Sequence, residues 1–270
     1  MSETVQTLGA MLRRSAAEHP DNDALVFPGQ RISHSSLNAA ARKWAKALIA
    51  LGVQRGDHVG ILLTTRPEFV EIMFGISMAG AVAVPVNARY QPAELSYLVK
   101  DADLVALVTT GKVADSLDFA ARLFTALPSL ATVKDPMLIA IQEAPRLRQV
   151  ICIDEPCPAA LLSKSVVLGG AATIADEEVD KRIDSTDPQD IGLILYTSGT
   201  TANPKGCMIR HRGIVGNSRN LAKRYEMQPS DRFWSPLPIY HIAGILPMVA
   251  VLDLGGSYLT IPNFDAGVAL

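Results

Sequence analysis

The sequence is poor in several features that would each point to a particular class of protein. Its 270 residues include three cysteines and 6% aromatic residues, and 25 basic residues nearly balance 27 acidic ones. Three cysteines are too few for a disulfide framework. A net charge of −2 with no basic patch argues against a nucleic-acid partner. Cys152 and Cys157 have a spacing compatible with a metal or a disulfide, but no further ligand lies nearby, so we expect reduced thiols.

Export signals and long hydrophobic runs are also missing. The N-terminus lacks a charged stretch followed by an apolar core, which argues against secretion. The longest apolar stretch, residues 242–252, contains Pro247 and is shorter than the ~20 residues that a membrane-spanning helix needs. We therefore predict a cytoplasmic protein without a membrane span. With 49% hydrophobic residues and a mean hydropathy of +0.20, the chain has ample material for a large core.

Short apolar runs alternate with helical patterns over the first 150 residues. The runs are bounded by turn residues and predict strands at 58–63, 81–86, 104–108 and 149–153. Helical spacing, opened in two cases by proline, predicts helices at about 37–51, 67–79, 92–100, 112–127 and 136–144. This alternation predicts an α/β fold with doubly wound, mostly parallel sheets flanked by helices.

The whole chain, 1–270, is expected to be organised in three consecutive parts. A first α/β part extends to about residue 155, a connector covers about 156–190, and a second α/β part begins at about 191. The charged run 176–182 within the connector is interpreted as solvent-exposed. In the last part we predict strands at 191–195, 207–210, 233–237 and 257–261, and helices at about 213–227 and 242–252.

A polar loop follows the apolar strand predicted at 191–195. It reads Tyr196-Thr197-Ser198-Gly199-Thr200-Thr201-Ala202-Asn203-Pro204-Lys205-Gly206. Such a loop can turn hydroxyls and backbone N–H groups toward one anion, and its lysine adds a mobile positive charge. The loop therefore predicts a polyphosphate site, although a polar turn between strands is the plainer interpretation. A Walker-type kinase or ATPase is excluded, because Pro204 replaces the glycine before the lysine and Gly206 replaces the magnesium-binding Ser/Thr.

The eleven-residue string resembles the phosphate-binding signature of the adenylate-forming (AMP-binding) enzymes. That superfamily comprises acyl-CoA synthetases, peptide-synthetase adenylation domains and luciferases. Residues 27–33, 51–59 and 80–98 resemble other segments of the same family, in the same order. The resemblance implies a partial N-terminal AMP-binding domain without the C-terminal domain. Ala202 departs from the family's glycine, and would weaken phosphate binding if its position needs φ > 0.

The resemblance also implies roles for individual residues. Residues that would contact the β- and γ-phosphates of ATP are Thr197, Ser198, Gly199, Thr200 and Thr201. Thr197 would also help place Mg²⁺, and Lys205 would act catalytically by offsetting charge on the leaving pyrophosphate. A second motif lies at 236–244. There Tyr240 would form a wall of the acyl pocket, and His241 would orient the substrate carboxylate.

The implied activity is that of an AMP-forming acid–thiol ligase. A carboxylic acid would react with ATP to give an acyl-adenylate and pyrophosphate, and the acyl group would then pass to CoA. The expected ligands are therefore ATP, Mg²⁺, CoA and a carboxylic acid. After His241, the sequence lacks matches to the family's later motifs, which include an aromatic–Gly–Thr–Glu motif and a catalytic lysine. We therefore expect this chain alone to be inactive or nearly so.

Other interpretations stay open at the level of the sequence. The chain could be a truncated, non-catalytic nucleotide-binding or assembly module. It could equally be half of a split ligase that pairs with a separate C-terminal half, or it could form a homo-oligomer. The particular carboxylic acid does not follow from the sequence. CoA as the acceptor rests on the family alone, because luciferase-like and amino-acid-activating members share the loop.

Overall fold

A computed structural model of the chain describes residues 5–114, 117–197 and 203–262. The helices are α1 (Leu8–Glu18), α2 (His34–Ala50), α3 (Pro67–Met78), α4 (Pro92–Asp101), α5 (Phe119–Ala126), α6 (Lys164–Gly170), α7 (Asp176–Ser185), α8 (His211–Arg224) and α9 (Ile242–Asp253). The first strands are β1 (Asp23–Phe27), β2 (Gln30–Ser33), β3 (His58–Leu62), β4 (Val82–Pro85), β5 (Leu104–Thr109), β6 (Lys112–Ala114) and β7 (Leu117–Asp118). The later strands are β8 (Gln149–Cys152), β9 (Leu162–Ser163), β10 (Ile191–Thr197), β11 (Lys205–Arg210), β12 (Arg232–Trp234) and β13 (Ser257–Leu259).

The larger sheet confirms the predicted doubly wound architecture. Over the described ranges it has seven strands in the order β11-β10-β4-β3-β5-β8-β9. Its neighbouring strands run parallel, except that β10 and β11 are antiparallel. Every residue of β4 and β5 is buried, as expected for parallel strands with helices over both faces.

A smaller sheet has the order β12-β13-β1-β2 within the described part of the chain. The β1–β2 hairpin includes the segment 27–33, which resembled the family's opening hairpin. Both sheets combine strands from before and after residues 156–190. Strands from both sides of the expected connector therefore pair within the same sheets.

One predicted helix begins too early, and another is wrong. Residues 112–127 contain the β6–β7 hairpin before α5, which begins only after Asp118. The carboxylate of Asp118 accepts the N–H of Ala121 at 2.9 Å and caps the helix there. Residues 136–144 form turns: Met137 and Leu138 are exposed while Ile139 and Ile141 are buried. Buried residues two apart do not form the stripe that an amphipathic helix needs.

The charged run 176–182 forms most of α7, so its interpretation as a solvent-exposed connector is wrong for one face. Val179 and Ile183 lie one turn apart and are buried. On the same helix Asp180 accepts hydrogen bonds from Arg42 at 2.7 Å and from Arg13 at 3.3 Å. Hydrogen bonds to the carboxylate of Asp180 therefore connect α7 to α1 and α2. Among the described residues, no helix is long and apolar enough to cross a bilayer.

His211 begins α8 and is a buried titratable group at the junction of α8 with α1. The backbone N–H of Leu8 donates to its Nδ1 at 3.4 Å, and the side chain is almost fully buried. Burial lowers the pKa of His211 to about 4, although the nearby carboxylate of Asp190 acts in the opposite direction. The folded chain therefore holds this histidine neutral at a pH where the unfolded chain protonates it.

We expect this histidine to make the fold less stable in mild acid. Because the folded pKa is below the unfolded value of 6.5, the unfolded state binds more protons between pH 6.5 and about 4. The free energy of unfolding should fall by about 2 kcal/mol from about pH 7.5 to about pH 5 through this group. Urea unfolding across that range checks it. His211→Gln should flatten the slope, and an unchanged slope would contradict the assignment.

Candidate active site

The predicted site residues that the structure describes, Thr197, Lys205, Tyr240 and His241, lie near one edge of the larger sheet. The parallel strands β3, β4 and β10 all end at this edge, which we call the carboxyl edge. Residues 64–66 follow β3 and residues 86–91 follow β4. The predicted polyphosphate-binding loop, residues 198–204, follows β10 and is called the phosphate loop below. In doubly wound α/β proteins, ligands bind in the crevice outside the carboxyl ends of the strands.

Thr197 and Lys205 face each other at the mouth of the phosphate loop. Thr197 is the last residue of β10, Lys205 is the first of β11, and the two are cross-strand partners. Both side chains are exposed, and within the described residues Lys205 forms no ion pair. A hydroxyl and an ammonium group are thus held side by side. Ser198, Gly199, Thr200, Thr201 and Ala202 lie outside the described residues, and their roles stay predictions.

The second motif forms a tight turn at the start of α9. The N–H of His241 donates to the carbonyl of Pro238 at 3.1 Å, and the carbonyl of His241 accepts the N–H of Gly244 at 2.9 Å. His241 is the N-cap of α9. The turn is closed so tightly that a Cβ on Gly244 would lie 2.9 Å from the carbonyl carbon of Pro238. The position of His241 is therefore fixed by backbone packing.

The imidazole of His241 has a defined hydrogen-bonding direction. Its Nδ1 accepts the N–H of Ala243 at 3.2 Å, and the side chain is exposed. Because Nδ1 acts as an acceptor, the neutral ring carries its proton on Nε2. The Nε2–H group is then available as a donor for an oxygen of a bound ligand. This is the chemistry required of a residue that orients a carboxylate.

Tyr240 connects this turn to a cleft of about 470 Å³ at the carboxyl edge. The cleft is also lined by Thr64 and Thr65, which follow β3, and by Arg89 and Arg122. The N–H of Ile239 lies 3.5 Å from Oγ1 of the buried Thr65, which links the turn to the end of β3. The two arginines favour an anionic ligand in the cleft.

The sequence analysis missed these cleft residues. Three of them could have been found from their position after a predicted strand, where ligands of α/β proteins bind. Thr64 and Thr65 follow the predicted strand 58–63, and Arg89 follows the predicted strand 81–86. Arg122 had no such signal, because it lies on α5 and reaches the cleft only in the folded chain. Its guanidinium donates to the carbonyls of Ala88 at 3.2 Å and Tyr90 at 3.4 Å. It thereby supports the segment that carries Arg89.

The cysteines play no visible part in this site. Cys152 is buried, Cys157 is half-buried and Cys207 is exposed on β11, and none of the three forms a disulfide. Across the described ranges, no group of three or more His, Cys, Asp or Glu side chains could hold a metal ion.

Comparison with known proteins places the whole chain in one family. Residues 12–269 match the sequence pattern of the AMP-binding enzymes. The chain belongs to the AMP-binding enzyme family. One relative, the long-chain-fatty-acid–CoA ligase FadD13 of Mycobacterium tuberculosis, is 30% identical over 97% of the chain and 46% of its own length. Another, the mitochondrial medium-chain acyl-CoA ligase ACSF2 of Mus musculus, is 30% identical over 98% of the chain and 44% of its own length.

Solved structures of the family share the fold. The chain is similar to the inhibitor-bound N-terminal domain of FACL13 from Mycobacterium tuberculosis, with a TM-score of 0.77 and 25% identity. That match covers 98% of this chain and 59% of the solved one. The AMP-binding chain therefore has the N-terminal architecture of an adenylate-forming enzyme, and it spans about half the length of the relatives it matches.

Proposed function

We propose that this chain provides the phosphate loop and one wall of the acyl site of an acyl-CoA synthetase. In the intact enzyme, a carboxylate oxygen would attack the α-phosphorus of ATP, and the bond from that phosphorus to the bridging oxygen of pyrophosphate would break. The acyl group of the resulting acyl-adenylate would pass to the thiol of CoA, with release of AMP. The pairing of Thr197 with Lys205 at the loop mouth carries this proposal.

Two anions must meet in the first step, so the protein must lower their repulsion and align them. Lys205 has an exposed ammonium group without an ion-pair partner in the described chain, and it would neutralise charge developing on the leaving pyrophosphate. His241, with its proton on Nε2, would donate to the carboxylate and hold it for attack. Tyr240 would form part of the wall beside the acyl group.

The residues at the loop mouth suit a nucleotide with Mg²⁺. The exposed hydroxyl of Thr197 would offer Mg²⁺ one hard oxygen ligand, the ligand type that this ion prefers. When bound, the ion would neutralise part of the phosphate charge. Ser198, Gly199, Thr200 and Thr201 would supply hydroxyl and backbone contacts to the β- and γ-phosphates.

Equilibrium binding and ATP–pyrophosphate exchange test the proposal on this chain. We expect the purified chain to bind MgATP and to give little or no acyl-CoA with a panel of carboxylic acids of different lengths. Failure of a folded sample to bind MgATP would contradict the proposed role of the loop. Exchange that depends on one acid would show that these residues complete an adenylation site, and would contradict the need for a further half.

A second candidate function is that of a non-catalytic nucleotide-binding or assembly module, or of one half of a split ligase that pairs with a separate C-terminal half. The exposed Thr197 and Lys205 at the loop mouth would serve nucleotide binding in either case. The candidates differ in the carboxylate dependence of turnover. A split ligase should gain acid-dependent turnover when the missing half is added, whereas a binding module should bind MgATP and remain inactive.

A further inference from the structure

Tyr196 lies directly before the phosphate loop and reaches away from it to another element. It precedes Thr197 in β10, and its side chain is half-buried against the core beneath α4. The Tyr196 hydroxyl donates to Oδ2 of Asp101 at 2.6 Å. A hydroxyl bonded to a carboxylate at this length is a charge-assisted hydrogen bond, which is stronger than a neutral one. The end of β10 is thereby tied to the end of α4.

Asp101 occupies a position that helix electrostatics disfavours. It is the last residue of α4, where the helix dipole favours a positive side chain. Its carboxylate instead accepts two tyrosine hydroxyls. Tyr196 donates to Oδ2, and Tyr97 donates to Oδ1 at 3.0 Å. The carboxylate raises the pKa of the Tyr97 hydroxyl, and burial followed by the same carboxylate raises the pKa of the Tyr196 hydroxyl. Departures from local rules of this kind occur most often where function requires them.

Gly206 links β11, the strand that leaves the phosphate loop, to the Tyr196 ring. The ends of β10 and β11 beside the loop are called its two stems. It is the cross-strand partner of Tyr196, one residue after Lys205. A Cβ at Gly206 would lie 3.1 Å from Cζ and 3.3 Å from Cε2 of the Tyr196 ring. The ring therefore packs closely over β11 at Gly206, where an added Cβ would crowd it. Tyr196 thus contacts both strands that enter and leave the loop.

We propose that Tyr196 and Asp101 are positioning residues that fix both stems of the phosphate loop against α4. With the stems fixed, Thr197 and Lys205 face each other before a nucleotide binds, so less ordering is required on binding. Neither residue needs to touch the phosphates. The inference rests on the proposed function in one respect, namely that a nucleotide polyphosphate is the ligand of the loop.

The chain offers a matched pair of variants for the test. Tyr196→Phe and Tyr97→Phe each remove one hydroxyl from the same carboxylate, but only Tyr196 belongs to a stem of the loop. We expect Tyr196→Phe to weaken MgATP binding by about 3- to 10-fold, as loss of one such hydrogen bond implies. Tyr97→Phe should change the dissociation constant by less than about 2-fold. Calorimetry with MgATP measures both.

Hydrogen exchange gives a readout that needs no ligand. In the free chain, Tyr196→Phe should speed exchange of the amides in residues 193–197 and 205–209, while Tyr97→Phe should leave them unchanged. Asp101→Asn should resemble Tyr196→Phe, because it removes the negative charge that both hydroxyls share. A purely stabilising role predicts instead that both tyrosine variants lower the unfolding temperature and leave MgATP affinity unchanged.

The outcomes separate this inference from the proposed function. Equal MgATP affinity and equal stem exchange in Tyr196→Phe and the parent chain would overturn the positioning role. Faster stem exchange together with unchanged affinity would also overturn it, because the Tyr196–Asp101 bond would then have no effect on MgATP binding. If the parent chain binds no MgATP, the proposed function fails. In that case, unchanged stem exchange in Tyr196→Phe would also reject the Tyr196–Asp101 bond as a positioning contact. Faster stem exchange would support the bond as a contact that orders the loop stems.

Discussion

Replacing Lys205 by methionine is expected to weaken binding of MgATP by about 10- to 100-fold, the effect of losing a hydrogen bond to a charged group. The reason is the position of this ammonium group, which is exposed beside Thr197 at the loop mouth and has no ion-pair partner among the described residues. Methionine keeps the length of the side chain and removes its charge. Isothermal titration calorimetry with MgATP measures the change in dissociation constant.

Lys223→Met is the matched control for Lys205→Met. Lys223 is an exposed lysine of α8, so the same substitution changes the net charge equally away from the loop. We expect its MgATP affinity to stay within about 2-fold of the parent chain, apart from a small effect of net charge. The affinity of the parent chain should also fall more steeply with salt than that of Lys205→Met. Equal affinities of the two variants would show that Lys205 does not contact the phosphates.

The larger sheet could be predicted from the sequence because its central strands are short, continuous apolar runs. Residues 59–62, 82–85 and 104–108 are buried on both faces, which favours apolar side chains at consecutive positions. Strand order was beyond the sequence, because the pairing of β10 with β4 depends on a contact over more than a hundred residues. The position of α7 was missed because its two buried residues, Val179 and Ile183, lie among charges.

The candidate site was predictable where a motif lies on continuous sequence. Thr197 with Lys205 and Tyr240 with His241 belong to such motifs, and the structure places them near the carboxyl edge. Contacts that form only on folding were not predictable. The hydroxyl of Tyr196 finds Asp101 across 95 residues, and Thr65 meets the turn before α9 across 174 residues. Local patterns carry no signal for partners at such separations.

The rigidity of the site depends on backbone packing as well as on side chains. His241, the N-cap of α9, donates its N–H to the carbonyl of Pro238 and accepts the N–H groups of Gly244 and Ala243. Tyr196 donates its hydroxyl to the carboxylate of Asp101, and its ring packs over Gly206, which has no Cβ. A glycine beside each motif therefore allows a close approach that a larger residue would prevent. Substitution of these glycines should disturb the site although neither glycine carries any chemistry itself.

Gly244→Ala is expected to destabilise the chain by about 3 kcal/mol, as overpacking in a tight core does. Gly244 lies in α9, where alanine would ordinarily be favoured over glycine by about 1 kcal/mol. The sign should reverse here because the new Cβ would meet the carbonyl oxygen of Pro238, and would lie 3.0 Å from Cα of Ile239. These are backbone atoms of the turn that carries His241, so the turn must move. Urea unfolding measures the loss.

Gly216→Ala provides the control with the opposite expected sign. Gly216 lies within α8, and a Cβ built there has no neighbouring atom within 4 Å. Helix propensity then acts alone, and this variant should be more stable by about 0.5–1 kcal/mol. If Gly244→Ala also stabilises the chain, the close approach of the 238–239 turn to α9 is not part of the folded structure. Since that approach fixes His241, the same result would remove the structural basis for its orientation toward a substrate carboxylate.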